Sequence, residues 1–492
     1  MTRRIFLTAF VSGLTTIFLS AWGMWSSEPD QPVLDERVAM EFSDEIVLNP
    51  GWGLMNYPWE NPRAEAQPFI SGRAGGTFWK DLEPSEGIFN WPVVEKFLAN
   101  LPPGRKAWLR LDASIRANES LTPEWVFQAG ARWVPHVSNG RVRVPVYWDP
   151  VFKAKWETTI ATVAARYDGD TRLAGVEING QGHYGEMVPE WERIFNRDKQ
   201  TWVDVGYSDQ LWIEHQKWAI DMFLRYFKKT PVAIQVVNDR ALWGASPARP
   251  VLDYAVQTYG MRVYAKWSGL APRMIEDTDK MLASYFRDTE IILEEARPFE
   301  GPPNEFGMMA YNVEAARAST VFVYDGTFRW ARSSDVLQVE LERLARRIAP
   351  QISIVEARMP GSVRAGEAFD LWLRWANQSN MPLRGAQRIG EKDVPVSAVA
   401  FVDLVGADGF TVGHYQYEPS TPTTEWYANS IVEDWLSLAV PLDLAAGLYD
   451  VRVGIQNPRP YAEGSPLRLL NTKRNDGSDR YQIGQIRVLP GY

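Results

Sequence analysis

Residues 47–349 alternate eight short β-rich runs with stretches that repeat apolar side chains at three- and four-residue spacing, and no other property of the chain limits its fold as strongly. The runs are residues 47–55, 69–73, 107–111, 173–178, 232–237, 261–265, 291–295 and 320–324. Helical patterns lie between and after them, at 91–100, 150–166, 211–228, 277–287, 304–318 and 334–348. In the last of these Leu337, Leu341, Leu344 and Ile348 form one apolar stripe. A strand that reaches its neighbour through a helix must lie parallel to it, and eight such units over about 300 residues fit an α/β fold, a closed (β/α)8 TIM barrel. A doubly wound open sheet is the competitor, disfavoured because no Gly-rich phosphate loop follows any run.

The periodicity changes at Pro350. Beyond it come short alternating runs, such as Phe369-Asp370-Leu371-Trp372-Leu373-Arg374-Trp375 and Tyr449-Asp450-Val451-Arg452-Val453-Gly454-Ile455, separated by Gly, Pro, Asn and Asp turns. This pattern predicts an antiparallel β-sandwich. The expected organisation is therefore a leader over residues 1–30, a barrel over 35–349 and a sandwich domain over 350–492.

The leader begins Thr2-Arg3-Arg4, continues through an apolar run over residues 5–25 and ends in the polar Ser26-Ser27-Glu28-Pro29-Asp30. That order of charge, apolar run and polar start is an export segment. A general secretory signal, a twin-arginine signal and an uncleaved anchor all fit, because the run is about long enough to span a bilayer and Ala21-Trp22-Gly23 is its best small-x-small cleavage site. The expected location is periplasmic, extracellular or on the outer face of the membrane, with membrane attachment through the N-terminus as one form. The absence of Cys excludes disulfides and thiolate nucleophiles, and His136, His183, His215 and His414 are too scattered to suggest a zinc site. No metal and no cofactor are expected. A net charge of -9 without long Lys/Arg runs argues against nucleic acid. The 22 Trp are flat apolar rings that serve equally for core packing and for stacking on the C–H face of a sugar.

The segment Phe78-Trp79-Lys80-Asp81-Leu82-Glu83-Pro84-Ser85-Glu86-Gly87-Ile88-Phe89-Asn90-Trp91 resembles the stretch after the second barrel strand of clan A glycoside hydrolases. Thr122-Pro123-Glu124-Trp125 and the passage from Ala164-Ala165-Arg166-Tyr167-Asp168-Gly169-Asp170 to Leu173-Ala174-Gly175-Val176-Glu177-Ile178 are similar to family 42-like and family 5-like members of that clan. The Asn377 turn, the Leu444-Ala445-Ala446-Gly447-Leu448-Tyr449 run and the closing Asp479-Arg480-Tyr481-Gln482-Ile483-Gly484 look like domain of unknown function 4832, which commonly trails such barrels. The resemblance implies an exported hydrolase of β-linked oligo- or polysaccharides, β-galactosidase-like or related, with its acid/base Glu ending the fourth strand and its nucleophile Glu ending the seventh.

Glycoside cleavage by the retaining route needs one carboxyl group to protonate the leaving oxygen and a second to attack. At the seventh strand, Ile291-Ile292-Leu293-Glu294-Glu295 offers Glu294 or Glu295 as nucleophile; successive residues face opposite ways, so one of the two projects inward. At the fourth, the implied acid position falls on Gln181, which cannot donate usefully, and the alternatives are Glu186 in the Gly-rich Gly182-His183-Tyr184-Gly185-Glu186 loop and Glu177 within the strand. Substrate-binding positions expected at strand ends and adjoining loops are Trp79, Arg110, Asp112, Gln181, His183, Asn238, Asp239, Trp267, Tyr324 and Asp325. The departure at Gln181 leaves a second reading open: a glycan-binding or envelope protein that kept the barrel mouth and lost the acid. A third is a membrane-anchored enzyme of exopolysaccharide metabolism.

Overall fold

The fold is that of a computed structural model, which describes residues 36–41, 43–57, 67–99, 101–116, 119–136, 139–182, 185, 187, 199–235, 248–274, 278–332, 334–458 and 465–492. Eight parallel strands close into a barrel in chain order: Gly53–Tyr57, Ile70–Phe78, Lys106–Asp112, Leu173–Glu177, Val232–Gln235, Val263–Leu270, Glu290–Glu295 and Thr320–Tyr324. Their ends depart from the sequence pattern in several places, among them the second strand, which runs past Arg73 to Phe78. The first starts only at Gly53, and the sixth runs past Ala265 to Leu270, because it keeps pairing with the seventh up to Leu270 opposite Glu295.

Strand alternation sorts the side chains into two cores. One set, including Leu109, Val176, Ile234, Ala265, Leu293 and Val323, faces the surrounding helices. The other, Met55, Ala74, Trp108, Ala174, Ala233, Tyr264, Ile292 and Phe322, fills the barrel interior. Trp108 is the largest of these plugs, and it fits because Gly175 on the next strand has no side chain: a Cβ there would lie 2.2 Å from the indole. The helices are set by local signals. Asp149 accepts from the Val151 and Phe152 amides, and Pro150 opens the helix Pro150–Tyr167. Asp168, just past its end, accepts from the Lys228, Lys229 and Thr230 amides and so ties the helix to the start of the fifth strand.

After the helix Asp335–Ile348 the chain becomes β-structure, with only short 3-10 turns among the described residues. Ile352–Met359, Ala368–Asn377 and Ile431–Ala439 form an antiparallel sheet, and Glu36–Ala39, from the far N-terminal side of the barrel, adds its fourth strand. Ser362–Arg364, Tyr481–Leu489, Gly447–Ile455, Ala400–Val405 and Thr411–Tyr417 make the facing sheet. Leu371, Leu373, Trp375, Val402, Val451 and Ile483 are buried in the core they share. Arg384, itself buried, pairs with Glu290 at the base of the barrel at 3.2 Å, and Asp393 carbonyl accepts from the Met261 amide. The leader, residues 1–30, lies outside the described residues; among those described, no helix is long and apolar enough to cross a membrane.

Candidate active site

The C-terminal ends of the barrel strands carry a buried cluster of charge directly above the apolar plug. Alternation sends Tyr264, Lys266 and Ser268 inward from the sixth strand and Ile292 and Glu294 inward from the seventh. Lys266 extends over the Phe322 ring, 5.3 Å from its centroid, and its ammonium lies 2.6 Å from Glu177 Oε2 and 2.5 Å from Glu294 Oε2. Both carboxylates thus close on one ammonium. All three side chains are nearly inaccessible, at 2–3 % exposure. Burial alone would push Lys266 down, but Glu177 and Glu294 outweigh it and its pKa is raised.

Around this triad the polar groups are also engaged. Ser268 Oγ is 3.1 Å from both Glu294 Oε2 and Gln235 Oε1. Arg110 donates to Tyr57 OH at 2.9 Å and lies 3.8 Å from Asp112 Oδ2. Burial opposes the Arg110 charge; Tyr57, Asp112, Glu177 and Glu294 outweigh that and hold it protonated. Asp112 Oδ1 in turn accepts from the Ser114 amide and hydroxyl. Among the described residues the hydrogen-bond and ion-pair contacts of Glu294 fall on Oε2. Glu177 accepts from Lys266 through Oε2, while its Oε1 is buried with no hydrogen-bond partner among the described residues.

Glu295 faces the other way. Its Oε2 accepts from the Tyr324 amide at 2.7 Å and from Thr327 Oγ1 at 2.8 Å, so it anchors the helix Asp325–Ala331 to the outside of the barrel. Burial, less these hydrogen bonds, pushes its carboxyl up to about 8. Two of the expected sugar-binding tryptophans also lie away from the mouth. Trp267 is not at a strand end, because the sixth strand continues three residues further; alternation turns it into the outer core, 3 % exposed. Trp79 opens a short helix, packs edge-on against Trp125 and Phe152, and donates to Glu83 Oε2 at 2.9 Å. It is a core residue between barrel and helices.

Arg110, Asp112 and Tyr324 stand on the inner face, with Tyr324 edge-on to Tyr57 at 5.2 Å. Asp325 is buried in the first turn of its helix. Gln181 is 3 % exposed, and its Nε2 has no hydrogen-bond partner among the described residues. His183, Glu186, Asn238 and Asp239 lie outside the described residues. Glu186 is bracketed by two that are described: Gly185 carbonyl accepts from Asn179 Nδ2 at 3.0 Å, and Met187 amide donates to Gln181 carbonyl at 3.0 Å. Beside the strand six and seven ends, a cavity of about 340 Å³ is lined by Leu270, Pro272, Arg297, Phe299, Glu300 and Glu305. No group of three or more His, Asp and Glu among the described residues is placed to hold a metal ion.

Lys266, Ser268, Gln235 and Tyr57 were not legible as site residues from strand ends alone. The signal for Lys266 and Ser268 is the Tyr264-x-Lys266-x-Ser268 alternation, which puts three polar-tipped side chains on one face of an otherwise apolar strand.

No family model matches the chain, and neither does any curated protein. Among solved structures it is similar to an exo-beta-1,4-mannosidase from Opitutaceae bacterium strain TAV5, at 10 % identity and a TM-score of 0.36, covering 58 % of this chain and 54 % of the mannosidase. The chain thus spans about half of that protein's length. A glucosidase from Croceicoccus marinus is similar at 10 % identity and a TM-score of 0.34, over 82 % of this chain and 97 % of the glucosidase. The C-terminal domain of wzt is similar at 17 % identity and a TM-score of 0.18, over 30 % of this chain and 74 % of that domain. Likenesses this low carry no argument about activity, which has to be read from the site.

Proposed function

We propose that the protein is an exported glycoside hydrolase that cleaves β-linked glycans with retention, using Glu294 as nucleophile and Glu186 as acid/base. The observation that carries the reading is Glu294 itself: an inward carboxylate at the end of the seventh strand, fixed through Oε2 by Lys266 and Ser268. In the first step Glu294 Oε1 attacks the anomeric carbon and forms a glycosyl ester while the acid protonates the departing oxygen. In the second, water attacks the anomeric carbon, giving its proton to the now ionised acid/base residue, and Glu294 leaves as a carboxylate. Lys266 and Ser268, held on the ester oxygen that regains charge, favour the second step. The family 42-like or family 5-like character of the barrel, the likeness of the sandwich to domain of unknown function 4832, and residues 1–30 as a signal or anchor belong to this proposal.

A slow 2-fluoro aryl β-glycoside should leave its sugar on the peptide that contains Glu294. Glu294→Gln should lower turnover of the fast substrates on the order of 10³-fold or more, as loss of a nucleophile does. Retained turnover in that variant refutes the assignment.

Two observations favour a second reading, a protein that holds glycans without cutting them. Gln181 occupies the position where the acid is expected, and Glu177 is committed to Lys266. A wild type that hydrolyses no aryl β-glycoside yet is stabilised against heat by a β-linked oligosaccharide selects it.

A further inference from the structure

The outer face of the four-stranded sheet in the C-terminal domain carries an aromatic patch that no core requires. Residues 431, 433, 435 and 437 of the edge strand Ile431–Ala439 alternate away from the sandwich interior, as do 370, 372, 374 and 376 of its neighbour Ala368–Asn377. The register sets these side chains in two rows across the sheet: Arg358, Trp372 and Trp435 in one, and Glu356, Arg374 and Glu433 in the next. Trp435 is 52 % exposed, and Ile431, two pairs further along, is 65 % exposed.

Trp372 forms the floor of the patch. The guanidinium carbons of Arg358 and Arg374 lie 4.7 and 4.9 Å from its ring centroid, and the Trp435 ring is 6.2 Å away. It is 4 % exposed, and its Nε1 has no acceptor among the described residues. The flanking charges are already neutralised by one another: Arg358 to Glu356 at 2.8 Å, Arg374 to Glu356 at 3.5 Å and Arg374 to Glu433 at 2.7 Å.

These features select a ligand. Paired charges offer N–H donors and carboxylate acceptors at fixed positions with little net field, so an anion gains little and a neutral polyhydroxylated molecule gains hydrogen bonds of both kinds. An exposed indole on a flat sheet suits an apolar face of ring size. The patch is two indoles and one Ile, far below the roughly 800 Å² per partner that a stable protein interface uses. A β-linked pyranose has the complementary shape, with C–H groups on its face and hydroxyls around its edge. We propose that this surface is a second glycan-binding site, which stacks one or two sugar rings of a neutral β-linked polysaccharide on Trp435. It shares its ligand class with the barrel reading and requires no chemistry at Glu294.

The test is affinity electrophoresis of the full chain in native gels containing xylan, β-mannan, β-1,4-galactan or mixed-linkage β-glucan. The wild type should be retarded by at least one of these. Trp435→Ala should weaken that binding about ten-fold, the range of one aromatic contact. Trp435→Phe should keep part of it, and Glu294→Gln should keep all of it. Turnover of aryl β-glycosides, read in parallel, should be the same in Trp435→Ala as in the wild type, so failure of the barrel reading and failure of the patch give different results. Thermal unfolding confirms that each variant is folded. The proposal is overturned if no polysaccharide retards the wild type, if Trp435→Ala binds undiminished, or if that variant converts a dimer to a monomer in light scattering, which makes the face a contact between copies of the chain.

Discussion

Replacing Lys266 by Met removes the ammonium on which Glu177 and Glu294 close, and leaves both carboxylates buried at 2–3 % exposure with their 2.6 and 2.5 Å contacts gone. Methionine fills much of the same volume, so the effect is one of charge. Breaking a buried pair by removing one partner costs about 3–5 kcal/mol, because the charge left behind is still desolvated. Arg110 offsets part of this, and the lower end of that range is expected near pH 8. The pH dependence follows from the signs. Protonating a stranded carboxylate removes its unpaired charge, so the penalty should be full at neutral pH and fade as pH falls towards the ordinary carboxylate range. In the wild type Lys266 is itself raised, so its contribution is full below its unfolded value of about 10.4 and is lost as pH rises through the folded one. The stability gap between the two proteins should therefore be widest around pH 7–9 and narrow on both sides. Urea unfolding followed by tryptophan fluorescence at pH 5, 8 and 11 measures it. Lys266→Met combined with Glu177→Gln should recover about 1–3 kcal/mol of the loss, since one of the two unpaired charges is then absent. A variant within about 1 kcal/mol of wild type at pH 8, or a gap that widens towards pH 5, refutes the idea that Lys266 neutralises this site.

Glu295→Gln should retain the fold at neutral pH, because an amide oxygen can accept from the Tyr324 amide and an amide N–H can donate to Thr327 Oγ1. With its carboxyl at about 8 in the folded chain, wild-type Glu295 lowers stability progressively as pH rises from about 4.5 to 8, and the variant should be flatter over that interval in thermal melts. A variant with the same slope as wild type would show that Glu295 titrates normally. Asn377 is fully buried, donates to the Met381 and Trp426 carbonyls at 2.8 and 2.6 Å and accepts from the Ser379 amide. Asn377→Ala should destabilise the C-terminal domain by roughly 2–4 kcal/mol, seen as a lower midpoint in urea, while aryl β-glycoside turnover at 25 °C stays unchanged.

The local sequence determined the elements and their alternation. The eight strand runs, the stripe of Leu337, Leu341, Leu344 and Ile348, and the change of period at Pro350 are short-range patterns, and short-range patterns are what backbone geometry reads. Parity was beyond it. Glu294 and Glu295 are neighbours of one type, and only the pairing of the seventh strand with the sixth and eighth decides that the first faces Lys266 and the second faces Thr327. Trp267 follows the apolar run that ends at Ala265, and only pairing with the seventh strand carries the sixth on to Leu270. Trp79 and Trp435 are the same residue in similarly polar surroundings along the chain; one is sealed by the helix Pro150–Tyr167 and the other stands on an open sheet face. The charge cluster is the clearest case, since Lys266 meets a Glu177 that is 89 residues away in the chain. Nothing in either segment specifies the other. Closing the barrel brings them within bonding distance, and burial then makes each charge depend on its partner, because an ion removed from water has no other source of compensation.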